Sequence, residues 1–364
     1  MIKLATEIRW QDRVVNPPLE RIQLSERLGY DAVFTAEGFS DATAVLGYVA
    51  GHTEHLKLGS RIIEVTGRSP AMTALGLLTL DHLAGGGRVI AGVGSGSPPM
   101  CEGHHGMPWG SPVNRMRDFV AILRQGLAGE VIDHVGKVLS APYRGPGAHG
   151  VKPARLGIEP LAEIPVIIAA SGPQMIALAA EIGDGWMPPN LPPGSLPGVL
   201  PLLRKGLERA GNGKSLDDLD IWAHVDVIVD NDVKAAMRPF KEYVVTWAKM
   251  QREFMVARGY EDLANRLEEI RGDADAEAQV VQGANLLEPK LWEASINAVP
   301  DEYIDDAWLV GPLDRIRERI RPWLDSGITG LVVRYGDQLT REPIEENLDA
   351  FRVIAEAAGE VPPA

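Results

Sequence analysis

A single cysteine, Cys101, stands in a chain of 364 residues. That excludes an internal disulfide framework and fits a reducing compartment. Basic side chains are also scarce: 36 Lys and Arg against 50 Asp and Glu leave a formal net charge of −14. Such a deficit argues against a nucleic-acid-binding surface and against an anionic membrane partner. Solubility accounts for the bulk of the charge. No uninterrupted apolar run approaches the ~20 residues of a membrane span. Lys3, Glu7 and Arg9 interrupt the first ten residues, where a signal peptide would need an apolar core. These absences together predict a cytoplasmic protein. What is present is ordinary for a globular chain, with 45% apolar and 24% charged residues, and the length suits one large domain or two smaller ones.

Strand and helix signals alternate along this chain. Strands are expected at Ile2–Ile8, Asp31–Thr35, Leu56–Val65, Val89–Val93, Pro165–Ala169, Asp184–Trp186, Ile221–Val229 and Gly330–Tyr335. Helices are expected between them, among them Pro17–Leu28, Asp41–Gly51, Pro70–Leu83, Val113–Leu127, Gln174–Ile182 and Asp314–Ser326, with a last one near Ile344–Ala358. Val131–Leu139 reads as a small hairpin and Asn190–Gly198 as a proline-rich connection. Asp232 to about Ile270 reads as largely helical, and Asp273–Pro300 as further helix. Strands separated by helices of this length imply βαβ units and a parallel sheet. Eight of them close into a (β/α)8 TIM barrel, here one domain over residues 1–364 with insertions at about 97–160 and 232–305, after strands four and seven. A doubly wound open sheet is the rival, but it would scatter the loops after strands four and five. A barrel brings both to its C-terminal face, where active sites are found.

The first of those loops is the most pointed feature of the sequence. GGGRVIAGVGSG (Gly85–Gly96) is a turn, a short apolar strand and then glycine at every second position (Gly92, Gly94, Gly96). Glycines let backbone approach a ligand closely, and successive N–H groups can form an anion-binding concavity. The spacing is not a dinucleotide fingerprint, and Ser97-Pro98-Pro99 follows where that motif needs a helix. After strand five, Ser171-Gly172-Pro173 sits at a helix start, where free N–H groups and the helix dipole favour a phosphate.

Four stretches together resemble the bacterial luciferase-like flavin and deazaflavin oxidoreductase family: LGYDAVFTAEGF (Leu28–Phe39), LKLGSRII with LDHLAGGGRVIAGVGSG (Leu56–Gly96), IPVIIAASGPQMIALAAEIGDGW (Ile164–Trp186) and WLVGPLDRIRERI with a closing strand (Trp308–Val333). Within it, EGHHGMPWG and the following helix (Glu102–Leu127) look most like members that use coenzyme F420. The resemblance implies a cofactor across the C-terminal mouth, held by Gly94, Ser95, Gly96 and Ser97 on one side and by Ala170, Ser171, Gly172 and Pro173 on the other. It further implies a cis peptide at Arg61–Ile62 that props the ring. The implied activity is hydride transfer between F420 and a small organic substrate. FMN with molecular oxygen is the alternative, and a flavin-binding barrel without catalysis a second. Family members usually dimerise through barrel helices near strands two to four, so a homodimer is expected.

Reduction of a carbonyl or activated alkene needs a proton or hydrogen-bond donor. Glu37, at the end of strand two, matches an acidic position near the deazaflavin. Sugar-phosphate-oxidising relatives follow that acid with a histidine and the glycine loop with a glutamate; this chain has Gly38 and Ser97, so that substrate class is not expected. His105 is the alternative catalytic group, with His104 beside it. Adjacent histidines on one loop, with only Cys101 and Glu102 nearby, do not make a metal site. Glu7, Trp10, Trp186 and Arg334, together with Arg9, are expected to shape the substrate pocket from the same mouth, and Arg334 could pair with an acidic group.

Overall fold

The computed structural model describes residues 2–9, 14–38, 40–271, 288–336 and 347–359. Eight parallel strands form the barrel: β1 (Lys3–Ile8), β2 (Ala32–Thr35), β3 (Lys57–Ser60, resuming at Ile63–Glu64), β4 (Val89–Gly94), β5 (Val166–Ala169), β6 (Gly185–Met187), β7 (Asp220–Val229) and β8 (Gly330–Tyr335). Each pairs with its successor, and β8 pairs with β1, so the sheet closes. The fold is a (β/α)8 barrel. The strand expected as one piece from Leu56 to Val65 breaks at Arg61–Ile62, whose peptide bond is cis.

The outer helices start where their caps say they should. Asp41 caps the Ala42–Ala50 helix by accepting from Ala44 N, and Ser69 does the same for Pro70–Leu83 through Met72 N. One helix was not expected from the sequence. Leu196–Ala210 begins inside the stretch read as a proline-rich connection, because Pro197 falls in the first turn, where no N–H is needed. The expected helix Asp314–Ser326 is two pieces, Leu313–Arg319 and Arg321–Leu324, with Pro322 opening the second. The hairpin near Gly136 is present, pairing His134 with Ala141 and Val135 with Ser140.

After β7 the chain runs through helices Val233–Thr246, Ala248–Ala257 and Glu261–Arg271, then Pro289–Ala298 and Asp301–Asp305. Part of the helix expected over Asp273–Pro300 lies outside the described residues, as does Ile344–Glu346 at the start of the last helix. These helices bury their own apolar cluster, which includes Phe240, Met255, Leu267, Trp292, Tyr303 and Trp308. A short strand, Leu309–Gly311, extends the sheet beside Val227–Val229; no sequence signal had marked it. Among the described residues no helix is long and apolar enough to cross a membrane.

The barrel interior is divided in two. Its lower half holds a small apolar cluster around Phe34 and Trp222, whose rings meet edge to face at 5.1 Å. Glycines make room for them. A Cβ on Gly59 would lie 2.2 Å from the Phe34 ring, and one on Gly330 would lie 2.4 Å from Trp222. Period-two alternation then points Trp222, His224 and Asp226 of β7 inward in turn, while Val225 and Val227 pack outward against the helices. The upper half is charged. It forms the floor of the site.

Candidate active site

A cleft of about 690 Å³ opens at the C-terminal mouth of the barrel, within the ~300–1,000 Å³ usual for small-molecule and cofactor sites. Arg61, Ile62 and the Gly94–Gly96 backbone line one side, and Ala169–Met175 another. Arg9, His224 and Arg334 come from the floor, and Trp109 and Val113 from the segment after β4. Of the residues expected at the cofactor, Arg61, Ile62, Gly94, Ser95, Gly96, Ala170, Ser171, Gly172 and Pro173 are brought together here. Ser97 is next to them but is not part of the lining.

The glycine alternation has a different cause from the expected one. A Cβ on Gly92 would sit 1.8 Å from the Ser60 carbonyl oxygen, and one on Gly94 would sit 2.2 Å from Ile62 Cδ1. Ser60 Oγ also donates to Gly92 O and accepts from Gly92 N. The close approach that these two glycines permit is therefore to β3. Only Gly96 of the three has a positive φ, +68°. Across the cleft, the Pro173–Ile182 helix starts at Gly172 with no side chain capping it, and a Cβ on Gly172 would meet nothing within 4 Å. Gln174 and Met175 of its first turn line the cleft.

On the floor, Glu7 is buried and bridges two arginines. Arg9 Nε donates to Oε1 at 2.5 Å and Arg61 Nη1 to Oε2 at 2.7 Å. Burial alone would raise the Glu7 pKa, but Arg9, Arg61 and Arg334 outweigh it and hold the carboxyl at about 2. Arg61 goes on to donate to Pro188 O at 3.3 Å and lies 2.7 Å from His224 Nδ1. Burial and the fields of Arg334, Arg61 and Arg9 push His224 well below its usual pKa. Arg334 and Asp226 are register partners on neighbouring strands and pair bidentately at 2.8 and 2.6 Å.

The remaining expected residues sit around this cleft and not in its lining. Glu37 accepts from Glu64 N at 3.0 Å and from Arg68 at 3.1 Å; burial raises its pKa despite these partners. His105 Nε2 meets Glu64 Oε2 at 3.1 Å, and His104 ends the short Pro99–His104 helical turn. The buried Trp186 indole donates to Ala170 O at 2.8 Å and so positions the cofactor-side backbone. Trp10 lies outside the described residues. His224 and Asp226 escaped the sequence reading, yet a signal was there: two polar residues at i and i+2 in an otherwise apolar strand, IWAHVDVIV. Among the described residues no three His, Cys, Asp or Glu side chains cluster as a metal site would require.

The sequence matches the family model for luciferase-like monooxygenases over residues 10–330, and the chain belongs to that family. A Mycobacterium tuberculosis protein, provisionally named a coenzyme F420-dependent oxidoreductase, is 33% identical over 321 residues, covering 87% of this chain and 90% of that one. The 5,10-methylenetetrahydromethanopterin reductase of Archaeoglobus fulgidus is 29% identical over 315 residues, 85% of this chain and 87% of its own. The structure of the coenzyme F420-dependent tetrahydromethanopterin reductase from Methanopyrus kandleri matches with a TM-score of 0.72 over 98% of each chain, at 20% identity, a likeness of fold. This chain is an oxidoreductase of the luciferase-like family.

Proposed function

We propose that the chain binds coenzyme F420 in the cleft and moves a hydride between it and a small organic substrate. The observation that carries this reading is the placing of two backbone elements, the Gly94–Gly96 loop and the uncapped Pro173–Ile182 helix start, across one cleft of cofactor size. The name of the Mycobacterium tuberculosis relative supports the cofactor, and that of the Archaeoglobus fulgidus reductase supports reduction of a small organic molecule. The residues fit such a group. Ala170 to Pro173 would take its phosphate, Gly94 to Ser97 the adjoining polar chain, and Ile62 the ring. Arg61 Nε, buried and without a hydrogen-bond partner among the described residues, is a donor left over at the same wall.

When bound, F420 supplies a two-electron hydride donor or acceptor. The chain's own residues do the rest. Ile62 and the backbone on either side keep water off the reacting face, while Arg9, Arg61 and Arg334 set a positive floor that favours neutral or anionic substrates. Glu37 and His105 act from behind this wall, holding Arg68 and Glu64 in place. A homodimer through the helices Ala42–Ala50 and Pro70–Leu83 is part of the same reading; they carry Tyr48, Met72 and Leu83 at 48%, 53% and 71% exposure. Light scattering at micromolar concentration should give twice the chain mass.

Fluorescence titration of the purified protein with F420 and with FMN tests the cofactor. Micromolar or tighter binding of F420 with little binding of FMN is the expected result. Preference for FMN would transfer the site to oxygen-dependent chemistry, and binding of neither would refute the site. A screen of carbonyl, imine and enone acceptors with reduced F420, under anaerobic conditions, then identifies the substrate.

A further inference from the structure

We infer that His224, held as a neutral imidazole with its proton on Nε2, is the hydrogen-bond donor that the cleft floor presents to a carbonyl oxygen or imine nitrogen of the substrate. The inference rests on the cleft's being the active site and adds the polarity of the substrate's reacting group.

Geometry decides the tautomer. Nδ1 lies 2.7 Å from an Arg61 guanidinium nitrogen. A guanidinium has donors only, so Nδ1 must offer its lone pair and the ring proton must be on Nε2. An imidazolium, or the other tautomer, would set N–H against N–H at that distance. Arg61 is not free to turn away, because Glu7 Oε2 and Pro188 O hold its other donors. The ring is fixed in turn. Nε2 has no hydrogen-bond partner among the described residues, and His224 lines the cleft. A fixed donor in the lining of the cleft stabilises charge that develops on an acceptor atom.

The surrounding groups keep the ring neutral. Glu7 and Arg9 approach from β1, Arg61 from β3, Asp226 from its own strand and Arg334 from β8. The three arginines outnumber the two carboxylates, and burial adds to their effect. The imidazole therefore donates a hydrogen bond but keeps its proton through the reaction: the hydride goes to the carbon, the π pair moves onto the oxygen or nitrogen, and water supplies the proton that this atom then takes. The substrate class follows: molecules with an acceptor atom at the reacting carbon are favoured, and ammonium-bearing ones are excluded by the three guanidiniums.

Nitrogen NMR of the ¹⁵N-labelled, cofactor-free protein tests the tautomer directly, with His224 assigned by the loss of its signals in His224→Gln. One pyrrole-type Nε2 and one pyridine-type Nδ1, unchanged between about pH 6 and 8, are expected. An imidazolium pattern, or the proton on Nδ1, would overturn the inference. In turnover with reduced F420 and the acceptor found by the screen, His224→Phe should lower kcat about 100-fold with F420 affinity unchanged. His224→Gln can still accept from Arg61 and donate to the cleft, so it should stay within about tenfold of wild type. Equal loss in both variants would remove the donor role. The NMR result does not depend on F420, so failure of the F420 titration would refute the functional reading and leave the tautomer standing or falling by itself.

Discussion

Replacing Glu7 by Gln keeps the shape of the side chain and removes the charge that Arg9 and Arg61 share. Glu7 is 1% exposed, so the arginines would be left buried beside a neutral amide. Two routes give the magnitude. Breaking a buried ion pair from one side costs about 3–5 kcal/mol. A carboxyl held at about 2 instead of 4.5 corresponds by linkage to about 3 kcal/mol of stability at neutral pH. The sign follows from the depressed pKa: the contribution is complete above the unfolded value and is lost as pH falls through the folded one. At about pH 3.5 roughly 2 kcal/mol of it should remain. Urea unfolding of both proteins at pH 7 and 3.5 measures this. The variant should be less stable by about 3 kcal/mol at pH 7, with a smaller gap at the lower pH. A difference below about 1 kcal/mol at pH 7, or a gap that widens on acidification, would refute the charge-balance argument for the floor.

Gly92→Ala places its Cβ 1.8 Å from a backbone oxygen, which cannot swing aside, so denaturant titration should show a loss of about 3 kcal/mol or failure to fold. Gly172→Asp should act in opposite directions on two measurements. A carboxylate at the uncapped helix start raises or preserves stability by up to about 1 kcal/mol, while repulsion of the cofactor phosphate weakens F420 binding at least about tenfold in the fluorescence titration.

The barrel was legible because its strands are short β-branched or apolar runs between helices with ordinary caps, as at Asp41 and Ser69. Tertiary effects hid the rest. Nothing local in the Leu56–Val65 run marks the break at Arg61–Ile62; the cis peptide found there was expected from the family resemblance alone. Leu309–Gly311 is a strand only because the upper end of β7 gives it an edge to pair with. Prolines that argue for a loop at Asn190–Gly198 are harmless in a first helical turn. At the site, backbone elements were easier to read than side chains. Gly94–Gly96 and Ser171–Pro173 announce themselves by composition, whereas the meeting of Glu7, Arg61 and His224 joins residues 54 and 163 positions apart. Spacing along the chain carries no trace of that. Glu37 looked like an acid facing a ligand because it ends a barrel strand; its actual partners, the Glu64 N–H and Arg68, come from the end of β3 and the loop after it.

β7 runs on past the rim of the barrel. Its inward side chains form the floor of the cleft, and four residues beyond His224 the same strand carries Ile228 into the separate apolar cluster of the helices that follow. The long excursion between β7 and β8 is thus a buttress. It grips the end of the one strand whose imidazole must keep its angle, much as a wall holds a cantilever. Loops on the opposite side of the mouth can be lengthened or exchanged to fit new molecules without disturbing that anchor. A shortened excursion would leave uncovered the end of that strand beyond Val227, where its pairing with β8 stops.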